Sequence, residues 1–381
     1  MGGAFAIGND GAVTSDAREP YMSLAEAPLT RRGAVISGAG LATSLLIATL
    51  TIIPSPYAIG TPGPTFDTLG EVGGTPLVTI DGTETFETSG ELRLTTVSEA
   101  RGSSSMFTVG QVIGGYFSRT TTVVPEEVVF GRPQDREASE DASAQQWITS
   151  QESATVSALE ALGRPVPATL TVVEISDQSL GWEILQVNDV IVGFDGQAVE
   201  SYGDLVRAMD GLTPGTDIAL TVVRDGQERE LEFQLIDNGL GEGVMGIWID
   251  PQFEIPIDVT VQIDTVGGPS AGSMFALAIM DKLTAQDELN GARVAGTGTI
   301  DVDGSIGPIG GVHLKMAGAR AAGADYFLVP LDNCPSVLGH IPAGLNVYAV
   351  DTLDKAYDAV VAIGQGDTAD LPTCNPSKDD S

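Results

Sequence analysis

One stretch limits how this chain can fold more than any other feature of its sequence. Residues 33–53 contain no charged side chain and directly follow Arg31 and Arg32. A run of about 20 apolar residues is the length of one helix across a hydrocarbon core roughly 30 Å thick. Arginines on the N-terminal side of such a helix place that side in the cytoplasm. The sequence therefore predicts a single-pass membrane helix at 33–53, with everything after Pro54 outside.

Two alternatives account for the same stretch, a buried core helix and a cleaved signal peptide. The length of the run and the arginine pair before it disfavour a core helix. The head of residues 1–32 is long for a signal peptide, and no small-x-small cleavage site directly follows the run. We interpret 1–32 as a disordered cytoplasmic head, because it has few apolar clusters and is rich in Gly, Ala and charge.

The composition excludes several kinds of partner. The formal net charge is -34, from 52 acidic against 18 basic side chains, whereas nucleic-acid binding needs clustered Lys and Arg. The 381 residues contain no G-x-x-x-x-G-K-[ST] motif, so no nucleotide site is expected. No spacing of histidines and cysteines indicates a metal site, and no cofactor is expected. Acidity of this degree fits solubility in an extracellular setting.

The two cysteines, Cys334 and Cys374, lie near the C-terminus. In the cytosol they would be two ordinary thiols. If this region lies outside the membrane, a Cys334–Cys374 disulfide that ties the tail to the preceding domain becomes the better interpretation. The state of the cysteines therefore depends on the topology set by the N-terminal helix.

The order of the patterns predicts a multidomain α+β protein. The segment after the membrane helix is rich in proline and glycine. From Pro76 to Phe130 the chain then alternates β-branched and polar residues, which indicates strands. Mixed strands and helices after a glycine-rich joint predict a second α+β domain. The predicted divisions after the membrane helix are a connector and β-rich module (54–150), a second module (151–236), an α+β domain (244–366) and a polar tail (367–381).

Ser270 stands in a setting that suits a nucleophile. Gly267 and Gly268 allow a tight bend, Pro269 suits a first helical turn, and apolar residues then recur at helical spacing from Ser270 to Leu283. A helix N-terminus offers unpaired N–H groups to an oxyanion that develops during acyl transfer. The alternative is that the serine only caps a helix, a common use of this residue.

A serine nucleophile needs a neighbour that takes its proton, usually His or Lys. Lys315 falls in the first turns of an Ala-rich helix, among apolar neighbours, where burial and the helix N-terminus should lower its pKa. Lys282 lies on the helix of Ser270, roughly 18 Å away at 1.5 Å per residue. A Ser-His-Asp triad would need His313 or His340, and His313, two positions before Lys315, should point elsewhere. The sequence therefore favours Lys315 as the base.

Three motifs together resemble a known family. They are G-P-S-A-G around Ser270, G-T-G-T-I with Thr297, and P-I-G-G-V-H-L-K ending at Lys315. In this order and spacing they resemble the proteolytic domain of the Lon protease family. More closely, the chain looks like membrane-anchored Lon-like proteases of Gram-positive bacteria that carry a PDZ domain. The resemblance implies a Ser-Lys dyad in which Ser270 is the nucleophile, Lys315 is base and then acid, and Thr297 helps to hold the lysine amine.

The resemblance carries further expectations. Gly267 and Gly268 would form the backbone loop beside the oxyanion, and the strand at 259–263 would border the substrate. ATP-dependent Lon enzymes usually have an acidic residue where this chain has Gly267, and the Gly-Gly form resembles the Lon-like branch. Lon-family protease domains commonly assemble into rings, so a homo-oligomer, such as a hexamer, is implied.

A second resemblance lies before the catalytic motifs. The motif L-x-x-N-D-x-I-x-x-F-D-G, from Leu185 to Gly196, resembles the centre of a PDZ domain. PDZ domains generally bind an extended peptide by adding it as a strand and capturing its carboxylate on backbone N–H groups. The glycine-flanked carboxylate loop of that family is not evident before Leu170. The alternative is a module that only packs against or gates the catalytic domain.

These observations combine into one prediction. The chain is expected to be an ATP-independent, membrane-anchored serine endopeptidase that hydrolyses unfolded or extended protein segments outside the membrane. Its expected partners are protein or peptide substrates and the membrane, without nucleic acid or nucleotide. The rival interpretation keeps the fold and discards the chemistry: a non-catalytic envelope scaffold that binds protein termini through the PDZ-like module.

Overall fold

A computed structural model of the chain describes residues 30–53, 55–101, 108–118, 120–130, 136–263 and 266–374. Nearly all of the predicted disordered head and half of the polar tail lie outside these residues. The chain divides into a unit that ends at Ile53 and a unit that begins at Pro54.

The helices, in chain order, are α1 (Arg31–Ile52), α2 (Val109–Tyr116), α3 (Glu126–Phe130), α4 (Arg136–Ala161), α5 (Tyr202–Met209), α6 (Gly272–Leu283), α7 (Val312–Ala321), α8 (Cys334–Val337) and α9 (Leu353–Gln365). The strands are β1 (Tyr57–Asp67), β2 (Glu71–Val72), β3 (Thr75–Pro76), β4 (Val78–Asp81), β5 (Glu91–Arg101), β6 (Thr122–Pro125), β7 (Ala168–Ile175), β8 (Val190–Phe194), β9 (Gln197–Ala198), β10 (Asp217–Arg224), β11 (Gln227–Gln234), β12 (Ile236–Asp237), β13 (Gly243–Val244), β14 (Ile247–Phe253), β15 (Asp258–Val261), β16 (Arg293–Gly296), β17 (Thr299–Ile300), β18 (Ile306–Gly307), β19 (Tyr326–Pro330) and β20 (Asn346–Val350).

The predicted membrane helix corresponds to α1, which begins two residues before the uncharged run. Its N-cap is Thr30, whose hydroxyl accepts a hydrogen bond from the Gly33 N–H at 3.1 Å. The helix has 22 residues with a hydropathy of 1.9, and none of them is buried. Within the described part of the chain it is the one helix long and apolar enough to cross a membrane. By length and composition, α1 is the candidate membrane anchor.

The second unit is built on a six-stranded sheet in the order β20, β19, β16, β5, β1, β6. Strand β5 is parallel to β16 on one side and antiparallel to β1 on the other. The predicted separate module at 54–150 is therefore wrong as a unit, because three of its strands, β1, β5 and β6, belong to the sheet of the later domain. The physical reason is burial: Leu92 and Leu94 of β5 are both 0% exposed and belong to the core of the main sheet and its helices. We call this assembly the main domain.

A five-stranded path in the order β11, β10, β8, β7, β14 forms a second sheet with its own core. Its last strand, β14, pairs antiparallel with β7 and was predicted to open the catalytic domain. That boundary is corrected, because Ile247 and Ile249 of β14 pack on the second core. The glycine-rich joint at 237–243 is part of a small hairpin between β12 and β13, and it does not divide the domains.

The second sheet is an insertion in the main domain. The Glu254 N–H donates to the Pro167 carbonyl at 2.8 Å, so the chain leaves the second sheet beside the point where it enters. The preceding helix α4, predicted within the second module, packs instead in the main core through residues such as Ala158 and Leu159. We therefore assign residues 168–253 to an inserted domain and the flanking segments to the main domain.

Two buried carboxyl groups lie at the end of α6 and just beyond it. Asp281 is 2% exposed and Glu288 is 3% exposed. Within the described residues, neither oxygen of Asp281 has a hydrogen-bond partner, whereas the Tyr357 hydroxyl donates to Glu288 Oε1 at 2.6 Å. Burial, and after it the neighbouring Glu288 side chain, raises the pKa of Asp281 to about 7. A carboxyl group of this kind destabilises the folded state once it loses its proton.

Asp281→Asn is expected to stabilise the protein at alkaline pH. The folded-state pKa of about 7 lies above the ordinary value of 3.8, so the wild type loses stability as the pH rises between them. Asparagine has no charge to bury, and the free energy of unfolding at pH 8 should rise by about 1–3 kcal/mol. The gain should shrink toward pH 4 in urea denaturation. Asp287→Asn is the control, since the Ser89 hydroxyl lowers the pKa of Asp287; equal gains at both positions would contradict this account.

Candidate active site

Ser270 lies in the turn that precedes α6, not on the helix itself. The helix begins at Gly272, and the bend before it passes through Gly268 at a φ of +80°, a conformation that favours glycine. The first helical amides are used within the protein: Gly272 N–H donates to Pro269 O and Ser273 N–H to Gly298 O, both at 3.2 Å. The expectation that the helix-start amides receive the oxyanion is therefore corrected, because these donors already have acceptors.

Lys315 reaches Ser270 from α7. The helix begins after Gly311, whose φ of +68° makes the Gly-Gly bend predicted from the sequence. The lysine side chain is only 3% exposed, and its Nζ lies 2.8 Å from Ser270 Oγ and 2.9 Å from Thr297 Oγ1. The structure thus brings together Ser270, Thr297 and Lys315, which are far apart in sequence.

Thr297 fixes the direction of the hydrogen bonds around the lysine. Its hydroxyl donates to the Ser270 carbonyl at 2.8 Å, and the same carbonyl accepts from the Gly298 N–H at 3.0 Å. A hydroxyl has one proton to donate. Thr297 Oγ1 therefore meets Lys315 Nζ as an acceptor. A neutral lysine that donates to Thr297 has its lone pair left for the proton of Ser270 Oγ.

The electrostatic setting favours that neutral lysine. Burial lowers the pKa of Lys315 from 10.5 to about 8, and burial is the one cause of the shift. No neighbouring carboxylate in the described residues opposes it. Near pH 8 about half of the molecules hold the lysine as a base, which is the range in which a general base works well.

A cleft of about 720 Å³ opens above these groups. Ser270 and Lys315 lie in its wall together with Gly267 and with residues of β1, β5 and β6. Much of the lining is apolar: Val97, Val124, Val128, Val129, Val266 and Leu314. Strand β16 pairs with β5 only as far as Leu94, so the cleft-lining stretch from Thr96 to Glu99 has no described strand neighbour on that side. Strand β15, expected beside the substrate, pairs on one side with β4.

The two histidines lie elsewhere and beside each other. His313 Nε2 is 3.0 Å from Thr122 Oγ1, and the rings of His313 and His340 are 5.6 Å apart. Burial, and then His340, lowers the pKa of His313. Neither histidine makes a hydrogen bond to Ser270 in the described part of the chain, so the arrangement does not form a Ser-His pair.

The C-terminal region is tied to the main domain. Cys334 and Cys374 form a disulfide, and the Ala349 N–H of β20 donates to the Pro372 carbonyl at 2.8 Å. The predicted pairing of the cysteines is thus present in the structure. Among the described residues, no group of three or more His, Cys, Asp or Glu side chains could hold a metal ion.

Comparison with known proteins now adds to this geometry. The model of the PDZ domain matches residues 153–235, and the model of the Lon protease (S16) C-terminal proteolytic domain matches residues 251–362. The chain carries a PDZ domain and a Lon-type proteolytic domain. The expected fold class is confirmed. The inserted domain is the PDZ domain, although its sheet runs past the matched range to Phe253, and the match to the Lon proteolytic domain falls largely on the main domain.

The chain is similar to several Lon proteases over part of their length. It is 39% identical over 93 residues to Lon protease 1 of Sorangium cellulosum (strain So ce56), which is 23% of this chain and 11% of that protein. It is 30% identical over 192 residues to the Lon protease of Campylobacter jejuni subsp. jejuni, which is 47% of this chain and 22% of that protein. The chain thus matches well under half the length of these relatives.

Among solved structures, the PDZ domain of the SdrC-like protein (Lmo2051) from Listeria monocytogenes is similar to the PDZ domain of this chain. It shares 18% sequence identity and covers 21% of this chain and 86% of that chain, with a TM-score of 0.20.

The Lon-type domain also contains an element whose role the sequence analysis missed. Helix α4 extends from Arg136 to Ala161, and its middle lies against the serine loop. Its Ser150 hydroxyl donates to the Pro269 carbonyl at 3.3 Å. The available signal was a helical spacing of small residues with few large apolar ones: Ser150, Ser153, Ala154, Ser157 and Ala158.

The PDZ domain presents an edge where the sequence analysis did not look. Strand β14 lies at the end of its sheet and is joined to β13 by the two residues Met245 and Gly246. Gly246 has a φ of +70°, and the Met245 carbonyl accepts a hydrogen bond from the Ser179 hydroxyl at 2.6 Å. A turn that contains a glycine therefore precedes the edge strand β14, whereas Leu170 lies on β7, the strand next to it.

Proposed function

We propose that this protein is an ATP-independent serine endopeptidase with a Ser270-Lys315 dyad. The single observation that carries the proposal is the 2.8 Å separation of Lys315 Nζ and Ser270 Oγ in a buried setting without a described carboxylate partner. A serine becomes nucleophilic when a neighbouring base takes its proton. No nucleotide takes part in that step, and the sequence has no P-loop motif.

The proposed reaction has two proton transfers. Neutral Lys315 accepts the proton of Ser270 Oγ while the oxygen attacks a peptide carbonyl, and backbone amides of the serine loop stabilise the oxyanion. The ammonium of Lys315 then protonates the leaving amine, and the carbon–nitrogen bond breaks to give an acyl-enzyme. Water, deprotonated by Lys315, releases the acid product and restores Ser270. Thr297 holds the lysine amine throughout by accepting its second hydrogen bond.

The cleft supports an extended peptide as substrate. The stretch of β5 from Thr96 to Glu99 offers backbone groups to an added strand, and the valine lining offers apolar contacts to alternate side chains. An added strand must be extended, so the proposed substrate is an unfolded or loosely held protein segment. We also propose anchoring by α1 with the second unit outside the membrane, and a ring of several copies, as the Lon resemblance implies.

A scaffold function is the second candidate, and the open edge of β14 is the observation that favours it. A peptide terminus can add to this edge beside the Gly246 turn. In that case the PDZ domain alone would account for binding, and the Lon-type domain would do no chemistry.

The deciding experiment is cleavage of a loosely folded protein such as β-casein without nucleotide. Wild type and Ser270→Ala are compared, and Ser336→Ala, an exposed serine on α8, serves as the matched control. We expect cleavage by wild type and by the control, and none by Ser270→Ala. Because the active lysine is the neutral one, kcat/KM should rise with pH and level off above about 8.

Two results would count against the proposal. Cleavage that survives Ser270→Ala would remove the nucleophile. A rate that is flat from pH 6 to pH 10 in the wild type would remove Lys315 as the base, because the lysine pKa of about 8 lies inside that interval. Folded wild type that binds peptide termini without cleaving any substrate would favour the scaffold function.

A further inference from the structure

Helix α4 holds the serine loop at two places. The Ser150 hydroxyl donates to the Pro269 carbonyl at 3.3 Å, and Ser150 is only 4% exposed. A Cβ atom on Gly267 would lie 3.0 Å from Ser143 Oγ, and one on Gly272 would lie 2.7 Å from Ser150 Oγ. The second distance is shorter than atoms tolerate, so Ser150 is seated against the backbone on both sides of Ser270. No account of the dyad uses this contact.

The contact acts on the peptide unit that joins Pro269 to Ser270. The Pro269 carbonyl accepts from two donors, Ser150 Oγ at 3.3 Å and the Gly272 N–H at 3.2 Å. A trans peptide unit is planar, and its C=O and N–H point in opposite directions. Two bonds that fix the Pro269 carbonyl therefore also fix the direction of the Ser270 N–H. That N–H has no hydrogen-bond partner in the described residues.

The Ser270 N–H is thus an amide of the serine loop that can still donate to the oxyanion. The Gly272 and Ser273 N–H groups donate to protein carbonyls, as described above. The Ser270 carbonyl is held by Thr297 Oγ1 and the Gly298 N–H, so the residue is fixed at its other end as well. An oxyanion donor is effective when it is aimed before the reaction begins.

We propose that Ser150 is a positioning residue for acyl transfer: its hydroxyl orients the Pro269–Ser270 peptide so that the Ser270 N–H points at the oxyanion. This inference rests on the proposed protease function. Ser150 touches neither the substrate nor Lys315. Its loss should therefore impair transition-state stabilisation and leave the proton chemistry of the dyad unchanged.

The experiment compares Ser150→Ala with Ser157→Ala. Ser157 is a matched control, because it is 2% exposed on the same helix and its hydroxyl donates only to Ala154 O of that helix. For Ser150→Ala we expect kcat to fall about tenfold to thirtyfold, less than the roughly 100-fold or greater loss when an oxyanion donor is removed outright. KM should stay within about twofold, and the pH midpoint should stay at about 8. A peptide aldehyde, whose adduct with Ser270 carries the oxyanion, should bind more weakly by the factor lost in kcat.

Several outcomes would overturn the inference. Unchanged kcat and aldehyde affinity in Ser150→Ala would show that the contact only fills space. An equal loss in Ser157→Ala, or a thermal midpoint lowered in step with kcat, would show a general packing effect. A shifted pH midpoint would place Ser150 in the dyad. Activity that survives Ser270→Ala, or an inactive folded wild type, would instead overturn the proposed function and this inference with it.

Discussion

Lys315→Met is expected to abolish peptide hydrolysis and to stabilise the folded protein at the same time. Methionine has nearly the shape of lysine but carries neither base nor charge. Without a base the serine keeps its proton, and loss of one member of such a unit typically costs about 10⁴-fold or more in kcat. The buried amine, by contrast, disfavours folding, because the pKa of Lys315 falls from 10.5 to about 8 when the chain folds. At pH 7 this shift corresponds to about 3 kcal/mol.

The pH dependence gives the stability effect a definite sign. Between pH 8 and 10.5 the unfolded chain binds more protons than the folded one, so the stability of the wild type rises with pH in this interval. The advantage of Lys315→Met is therefore full below pH 8 and vanishes above 10.5. Denaturant unfolding at pH 7 and at pH 10.5, beside β-casein cleavage, measures both effects. Lys355→Met is the control, since Lys355 lies at the surface in an ion pair with Asp351, and it should keep full activity without a gain in stability. A less stable or still active Lys315→Met would contradict the assignment.

Removal of the PDZ domain should leave a folded protease, whereas removal of the strands before it should leave none. Pro167 and Glu254 are joined by a hydrogen bond of 2.8 Å, so a short Gly-Ser linker can replace 168–253 without moving either end. A chain that starts at Glu254 lacks β1 and β5. It loses Leu92 and Leu94, both 0% exposed, and burial of each such side chain is worth about 2–5 kcal/mol. Since whole domains are stable by about 5–15 kcal/mol, that fragment should not fold.

Circular dichroism and thermal unfolding distinguish the two products. The chain with residues 168–253 replaced should unfold cooperatively, and the fragment from Glu254 should give no transition. Supplying residues 55–167 as a separate chain should restore a transition in the fragment, because it returns β1, β5 and β6 of the main sheet together with helix α4. A fragment that folds alone would restore the original division at 54–150, and collapse of the linker variant would show that the PDZ domain is structurally required.

Features that depend on residues close together in the sequence were predictable. The uncharged run predicted both ends of α1 to within two residues. The three short motifs identified Ser270, Thr297 and Lys315, whose side chains contact one another. Strand pairing was not predictable in the same way, because alternation indicates a strand but not its partner. The Thr95 hydroxyl bonds to the Gly296 carbonyl across 201 residues, and no local pattern contains that information. The contact of helix α4 with the serine loop was not predicted, because the side chain that makes it, Ser150, is small and polar and resembles a surface residue.

The position of β5 in the main sheet also orders events during synthesis. Thr95 leaves the ribosome 201 residues before Gly296, and at roughly 5–20 residues per second that interval is about 10–40 s. During this interval strand β5 lacks its parallel neighbour β16. The whole PDZ domain is made before β16 and can fold first. Ser270 is synthesised before strand β16, and Lys315 is synthesised after it. Under the proposed function, a growing chain therefore lacks a complete active site until most of it has been made.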